Sequence, residues 1–105
     1  MTPDRLDATF AALADPTRRA ILEAIRKRAR SVGDLASTMP VSRPAVSQHL
    51  AVLRDAQLVT EERDGTRRFY QANTRGMQLV QKYLDRYWSH AIGVSGVTRG
   101  RTKRR

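Results

Sequence analysis

The side chains best suited to recognising a ligand are concentrated in residues 41–56, which read Val-Ser-Arg-Pro-Ala-Val-Ser-Gln-His-Leu-Ala-Val-Leu-Arg-Asp-Ala. Apolar residues recur there at helical spacing and predict a buried stripe, formed by Val46, Leu50 and Leu53. The polar side chains outside that stripe are Arg43, Ser47, Gln48 and Arg54. Hydroxyl, amide and guanidinium groups of this kind read base edges or hold phosphates. The stretch therefore predicts a helix with a face suited to nucleic acid, although an ordinary surface helix explains it equally well when it is considered alone.

The start of this helix is marked by Pro44, because proline fits only near a helix N-terminus. Ser42 is a good capping residue, whereas Arg43 precedes proline and is disfavoured in helical geometry. We therefore expect the helix to begin at Ser42 or Arg43. Its first turn is then basic and rich in hydroxyl groups, which suits the major groove of DNA.

The charge of the chain favours a polyanionic partner, such as DNA, RNA or an acidic membrane surface. The 105 residues, enough for one domain, include 20 Lys and Arg but only 10 Asp and Glu, which gives a formal net charge of +10. Part of this excess lies in residues 99–105, which hold five basic residues and no acidic one. The rest of the chain is still basic without those five.

Several classes of protein are disfavoured by what the sequence lacks. It has no cysteine, so neither a disulfide framework nor a thiolate metal site is available. No apolar run approaches the roughly 20 residues that cross a bilayer, and the N-terminus is charged where a secretory signal would be apolar. We expect a cytoplasmic protein with no membrane partner. We expect no enzyme, because His49 and His90 are isolated and no nucleophile–base pair, carboxylate pair or phosphate loop is recognisable.

Two helices are predicted before residue 30. The first spans residues 4–14 and is capped by Thr2 or Asp4. The second spans residues 16–27, where the pair Asp15-Pro16 is a strong start signal. Their apolar stripes are Leu6, Phe10 and Leu13 in the first helix and Ile21, Leu22 and Ile25 in the second.

The next two helices form a predicted helix-turn-helix. Residues 31–34 match a capping box, which opens a short third helix, and Pro40 ends it. The buried side of the third helix is predicted to hold Leu35, Ala36 and Met39. Only a few residues then precede the helix over residues 41–56, and such a tight connection between two short helices is typical of a helix-turn-helix.

A β-hairpin is predicted directly after these helices. Residues 58–62 predict a strand, Asp64-Gly65 a hairpin turn, and residues 67–72 the returning strand. The predicted fold is thus mainly α with a small β-hairpin, a winged helix-turn-helix of five helices and a two-stranded wing. The basic side chains of the wing can hold phosphates or enter a minor groove; they are Arg63, Arg67 and Arg68.

Four further residues of the hairpin are expected to serve packing or pairing. Glu61 and Glu62 interrupt the basic character of the wing, and we expect them to point away from DNA or to pair with arginines. Phe69 and Tyr70 lie on opposite faces of their strand, so one of them should cover the core.

The last helix is predicted over residues 75–89, capped by Asn73 or Thr74. It and the first helix carry apolar surface that the predicted core does not need, which favours a homodimer; in the alternative, the two helices cover each other in a monomer. The predicted dimer residues are Leu6, Phe10, Leu13, Met77, Val80, Tyr83, Leu84, Tyr87 and Trp88. We therefore expect a DNA-binding and dimerisation domain over residues 1–92 and a basic, disordered tail over residues 93–105.

Three segments resemble the ArsR-type winged-helix repressors. Residues 14–22 read Ala-Asp-Pro-Thr-Arg-Arg-Ala-Ile-Leu, residues 42–50 read Ser-Arg-Pro-Ala-Val-Ser-Gln-His-Leu, and residues 53–59 read Leu-Arg-Asp-Ala-Gln-Leu-Val. The likeness covers roughly residues 5–90. Gln57 departs from the pattern, because glycine is common at this position in the family.

The resemblance implies a homodimer, formed through the first and last helices, that binds inverted-repeat operators and blocks transcription, often at its own promoter. It places Ser42, Arg43, Ser47 and Gln48 at base- or phosphate-contacting positions and Arg67 at a wing contact. Thr17 and Arg18 are weaker candidates for phosphate. With the residues chosen from their chemistry, the expected DNA contacts are Ser42, Arg43, Pro44, Ser47, Gln48, Arg54, Arg63, Arg67, Arg68, Thr17 and Arg18.

The metal-sensing members of that family are a poorer match. Some of them use cysteines before the reading helix, where residues 31–36 have none. Others pair Asp and His in the last helix, but the five-residue spacing of Asp85 and His90 does not share a helix face well. The sequence is closer to the non-metal branch, so we expect no metal and no cofactor. A small-molecule inducer is not identified.

Three other functions compete with a sequence-specific repressor. A non-specific nucleic-acid protein fits the net charge, but single-strand binders expose aromatic side chains for stacking, and those of this chain are expected to pack. A protein-interaction module that has lost DNA binding would not need the polar helix tip and basic wing. A metal-responsive repressor of the same fold is the third alternative.

Overall fold

The computed structural model describes residues 4–92, so Thr2 and the predicted tail lie outside the described residues. Within them it has five helices and three strands, which confirms the mainly α winged helix-turn-helix. In chain order the elements are α1 (Arg5–Leu13), α2 (Pro16–Ile25), β1 (Arg30–Ser31), α3 (Val32–Thr38), α4 (Arg43–Asp55), β2 (Val59–Asp64), β3 (Arg67–Ala72) and α5 (Thr74–Ile92).

Short polar caps fix where the first four helices begin. In each, a side-chain oxygen accepts a hydrogen bond from the backbone N–H three residues further on, at 2.8 to 3.2 Å. Such a bond satisfies one of the amide groups that a helix start leaves without a partner. The caps are Asp4, Asp15, Ser31 and Ser42. The predicted caps of α2, α3 and α4 are confirmed, and α4 begins at Arg43, one of its two predicted starts.

The core is formed by α2, α3, α4 and the sheet, with α1 laid across it. Its fully buried members include Ile21, Leu35 and Leu50. The fully buried residues of α1 are the small Thr9 and Ala12, whereas its large apolar residue Leu13 packs against the core while only partly buried. The Thr9 hydroxyl donates to the Arg5 carbonyl at 2.8 Å, so its burial leaves no unpaired polar group.

The sheet has three strands and not the two that were predicted. β1 pairs with β3 in antiparallel register, with Arg30 opposite Tyr70 and Ser31 opposite Phe69, and the strand order is β1-β3-β2. A two-residue strand is too short to show an alternating pattern, and Ser31 also caps α3, which is why the sequence reads there as a helix start. Tyr70 is the aromatic that covers the core, while Phe69 is half-buried.

The hairpin turn lies one residue later than predicted. Asp64 pairs with Arg67, so the two turn residues are Gly65 and Thr66, and β2 runs to Asp64 rather than ending at Glu62. Gly65 has a φ of 66°, which suits glycine as the first of two turn residues in a tight hairpin.

The helix α4 ends in a tight turn at Gln57, just before β2. Gln57 has a φ of 60°, its N–H donates to the Arg54 carbonyl, and the Leu58 N–H donates to the Leu53 carbonyl, both at 2.9 Å. This is a Schellman helix end, in which the left-handed position is usually glycine. The departure of Gln57 from the family pattern therefore falls on the one residue of this turn that favours glycine.

Gly76 packs against this turn. Its N–H donates to the Gln57 carbonyl at 2.9 Å, and it is buried at the start of α5. A Cβ at Gly76 would lie 2.7 Å from the Ala56 carbonyl oxygen and 2.8 Å from the Leu58 side chain. The first of these contacts is with backbone, so α5 would have to move away from α4.

We predict that Gly76→Ala destabilises the protein by about 1–3 kcal/mol, the usual cost of overpacking a closely packed site. Gly33→Ala is the matched control, because a Cβ at Gly33 would be 3.6 Å from its nearest neighbour atom and alanine favours a helix. Urea unfolding at one fixed protein concentration measures both variants. Equal unfolding midpoints for the two would contradict the close contact.

Candidate nucleic-acid interface

The helix α4 has the two faces that the sequence predicted. Val46, Leu50 and Leu53 are each no more than 1% exposed. The polar side chains at its N-terminal end are exposed; they are Ser42, Arg43, Pro44, Ser47 and Gln48. Residues four apart lie side by side on a helix, so Arg43 stands next to Ser47, and Pro44 next to Gln48. Together they form one continuous exposed surface over the first two turns of α4.

A short connection orients α4 against α3. Residues 39–42 join the two helices, and Met39 has extended backbone geometry, with φ −125° and ψ 149°. Met39 and Val41 pack against the core, and Leu35 is fully buried. The connection is thus held by apolar contacts at both ends, which leaves the polar end of α4 exposed beside the sheet.

A polar junction holds α4 to α2 and α1. The His49 Nδ1 lies 3.4 Å from Arg18 Nη1 and 4.0 Å from the Asp15 carboxylate. The Arg18 N–H, which donates to the Asp15 carboxylate at 3.0 Å, lowers the pKa of Asp15 below its ordinary value. His49 is therefore a half-buried, hydrogen-bonded residue of the scaffold.

The guanidinium of Arg18 closes the end of α1. Its Nε donates to the Ala12 carbonyl at 2.8 Å and its Nη2 to the Ala11 carbonyl at 3.0 Å. The Ala11 carbonyl also accepts from the Ala14 N–H at 3.2 Å, so Arg18 adds a second donor to a carbonyl that can accept two. Arg18 is engaged in structural contacts, and Thr17 beside it is half-buried. The two hydrogen bonds from Arg18 to α1 could not be predicted from the sequence, because they depend on how α1 and α2 cross.

Glu61 links the wing to the end of α4. One of its carboxylate oxygens accepts from Arg54 Nη1 at 3.1 Å, and the other is 3.3 Å from Arg68 Nε. The Glu61 side chain is 19% exposed, against 47% for Arg54 and 52% for Arg68. The expected pairing of Glu61 with arginines is confirmed, and it engages two of the side chains predicted to hold phosphate.

The other predicted wing residues are placed differently. Arg67 follows the turn, its Nη2 is 3.5 Å from the Ser31 hydroxyl, and its guanidinium lies 5.1 Å above the Phe69 ring. Arg63 is exposed and stands opposite Arg68 in the register of the hairpin. Neither Arg63 nor Arg67 forms an ion pair with any residue from 4 to 92.

A cleft of about 410 Å³ opens between the wing, the start of α3 and the start of α4. Arg43 and Arg67 line it from opposite elements, and Ser31, Gly33 and Thr66 form part of its walls. No local pattern in the sequence indicates that these last three residues belong to the same site. They come together only because β1 pairs with β3, and the two-residue strand was not predicted.

The predicted dimer residues divide into two groups. Leu13 packs against the core of its own chain, and Leu6 and Val80 are half-buried. The other six are between 40% and 58% exposed; they are Phe10, Met77, Tyr83, Leu84, Tyr87 and Trp88. The rings of Phe10 and Tyr83 meet edge to face at a centroid distance of 5.6 Å, so α1 and α5 do contact each other. That contact still leaves a large apolar face uncovered.

Residues 4–92 hold neither a membrane-spanning helix nor a cluster of metal ligands. No helix there is both long enough and apolar enough to cross a membrane. No three His, Cys, Asp or Glu side chains in the same residues converge as a set of metal ligands.

Known proteins are similar to this chain in sequence and in fold. A helix-turn-helix domain family model matches residues 13–62. The helix-turn-helix transcriptional regulator Rv2034 of Mycobacterium tuberculosis is 50% identical over 91 residues, which cover 87% of this chain and 82% of that protein. The transcriptional repressor SdpR of Bacillus subtilis is 34% identical over 73 residues, which cover 70% of this chain and 81% of that protein.

A solved structure has a similar architecture. The crystal structure of an ArsR family transcriptional regulator matches with a TM-score of 0.80 at 26% identity, over 90% of this chain and 97% of that chain. The match extends well beyond the helix-turn-helix. This chain is therefore a member of the ArsR family of helix-turn-helix transcriptional regulators, a class of DNA-binding proteins and not of enzymes.

Proposed function

We propose that this regulator is a homodimeric repressor, which binds an inverted-repeat operator in double-stranded DNA and blocks transcription of its own or a neighbouring operon. The observation that carries the proposal is the exposed polar end of α4, flanked by wing arginines that have no carboxylate partner within residues 4–92. The relative SdpR, named a transcriptional repressor, supports the direction of regulation.

Ser47 and Gln48 are the proposed base readers. Both are exposed on the first two turns of α4, the part of a recognition helix that contacts base edges in the major groove. An amide can bond adenine in bidentate fashion, and a hydroxyl can bond either a donor or an acceptor. Arg63 and Arg67 of the wing would contact phosphates, which position the protein without reading sequence.

The uncovered face of α1 and α5 is proposed to bind a second copy of this chain. Six large apolar side chains remain 40–58% exposed after α1 and α5 have packed on each other, more than a monomer needs to expose. A two-fold axis through this face makes it self-complementary. The two copies of α4 would then lie about 34 Å apart, one turn of DNA.

The domain division remains part of the proposal. Residues 1–92 would form one DNA-binding and dimerisation domain. The basic residues of 93–105 would add sequence-independent attraction to the phosphate backbone.

Gln48→Ala and Arg67→Ala should affect DNA binding in different ways. Gln48→Ala should relax sequence preference by about 1–3 kcal/mol at one position of each half-site. Arg67→Ala should weaken preferred and scrambled duplexes about equally, and should flatten the dependence of log affinity on log salt by about one unit per protomer. Fluorescence anisotropy at several salt concentrations measures both effects. If Arg67→Ala bound as the wild type does at every salt concentration, the wing assignment would be wrong.

Glu61→Gln should strengthen binding to all DNA and steepen its salt dependence. The substitution removes the carboxylate that pairs with Arg54 and Arg68, and so leaves two guanidinium charges for phosphates. Glu62→Gln is the matched control, because Glu62 is exposed on the same strand and forms no ion pair with residues 4–92. The idea fails if the two variants gain affinity equally.

Tyr87→Glu should convert the dimer into monomers. Tyr87 is 58% exposed on the apolar face, and a carboxylate buried there without a partner costs several kcal/mol, or roughly a hundredfold or more in dimer affinity. Gln78→Glu adds the same charge to an exposed position of α5 away from that face and should leave the dimer intact. Analytical ultracentrifugation distinguishes the two, and a Tyr87→Glu variant that stayed dimeric would refute this interface.

A further inference from the structure

The cleft between the wing and the starts of α3 and α4 is lined by two guanidinium groups that have no carboxylate partner within residues 4–92. One is Arg43, at the first position of α4, and the other is Arg67, just after the hairpin turn. Both line the same cleft of about 410 Å³. Because they come from different elements, their approach depends on the tertiary fold.

The Arg43 guanidinium lies over the position that a side chain at Gly33 would occupy. A Cβ built at Gly33 would be 3.6 Å from Arg43 Nη2 and 3.7 Å from both Cζ and Nη1. Nearly equal distances to these three atoms mean that the plane of the guanidinium faces Gly33. The N–H groups of a guanidinium point outward along the edges of that plane, so those of Arg43 are directed along the cleft and not into the α3 backbone.

Arg67, on the opposite wall, is held by two contacts. Its guanidinium lies 5.1 Å from the centre of the Phe69 ring, and its Nη2 is 3.5 Å from the Ser31 hydroxyl. Stacking on an aromatic face leaves the edges of a guanidinium available for a planar or tetrahedral anion.

The charge of the cleft favours an anion. Within residues 4–92 neither Arg43 nor Arg67 is within ion-pair distance of a carboxylate, in contrast to Arg54 and Arg68. Asp34 and Arg68 also line the cleft, so its lining holds three arginines and one carboxylate. The hydroxyl groups of Ser31 and Thr66 add neutral donors to the walls.

We propose that this cleft is a phosphate-binding site, in which Arg43 and Arg67 hold one phosphate group from two sides. Arg43 then fixes α4 relative to the DNA backbone and does not read a base. The inference rests on the proposed function and assigns a role within it. A backbone phosphate of the operator is one source of this group, and a free phosphorylated ligand that competes with DNA offers the same chemistry.

Gly33→Glu tests the site without removing either arginine. A glutamate at Gly33 would place its carboxylate beside the Arg43 guanidinium and neutralise it, and an acidic residue suits the first turn of a helix. Gly33→Ala adds the same Cβ without the charge. Both variants are checked first for the circular dichroism and dimer mass of the wild type. Their affinities for a preferred and a scrambled duplex are then measured across a range of salt concentrations.

The phosphate site predicts that Gly33→Glu binds both duplexes roughly tenfold more weakly than Gly33→Ala. The salt slope should fall by about one unit per protomer, and the ratio of the two affinities should be unchanged. Arg43→Ala should behave in the same way. If the ratio of the affinities for the preferred and scrambled duplexes fell toward one in Arg43→Ala, Arg43 would be shown to read a base. A Gly33→Glu variant with the affinity and salt slope of Gly33→Ala would refute the site.

Two further arms separate the sources of the phosphate. If the DNA backbone supplies it, one neutral methylphosphonate linkage per half-site should weaken the wild type but not Gly33→Glu. If a free ligand supplies it, inorganic phosphate should displace DNA from the wild type more than potassium chloride does at equal ionic strength, and Gly33→Glu should lose that difference. If neither the methylphosphonate linkage nor inorganic phosphate has its expected effect, the proposal is wrong.

A failure of the proposed function is distinguishable from a failure of this site. A wild-type protein without sequence preference, whose binding still falls in Gly33→Glu, would retain the phosphate site and refute the operator-binding repressor. If the wild-type protein strongly prefers one DNA sequence and Gly33→Glu binds that DNA as tightly as Gly33→Ala does, the operator-binding repressor is retained and the phosphate site is refuted.

Discussion

The burial of one face of α4 is the constraint on which the rest of the structure depends. Val46, Leu50 and Leu53 are almost completely covered, and each such side chain contributes roughly 1.5–3 kcal/mol when it is removed from water. To cover them, α2, α3 and the sheet must surround α4 on that side. The opposite, polar side is then left exposed along its first two turns. The surface proposed to read DNA is thus a direct consequence of how the core is filled.

The arginines of this surface are divided between structure and recognition. Arg18 bonds the last carbonyls of α1, and Glu61 holds Arg54 and Arg68. Arg43 lies over the side of α3 left open at Gly33, Arg67 lies over the Phe69 ring, and neither has an ion pair among residues 4–92. A net charge of +10 draws the protein to any polyanion, but only side chains held in place and left without carboxylate partners can define an orientation on DNA.

Most of the fold could be predicted from local signals in the sequence. The caps Asp15, Ser31 and Ser42 and the apolar stripes set the helices, because both act within a few residues of the chain. The third strand, the turn at Gly65-Thr66 and the contact at Gly76 could not be predicted, since each depends on a partner that the sequence alone does not identify. The same reason hid the cleft. Arg43 was recognised as a DNA-binding candidate from its type and position, but its placement on Gly33 follows from how α3 and α4 pack.

The most direct test of a sequence-specific, dimeric regulator is a salt-dependent titration of the wild-type protein with two duplexes. One carries the DNA upstream of its own gene and the other is a scrambled control of equal length, and DNA fragments selected from the genome extend the test to other operators. The account predicts a preference of about a thousandfold or more at physiological salt, with two protected half-sites one helical turn apart. Equal, steeply salt-dependent affinity for every duplex, including the selected fragments, would contradict it.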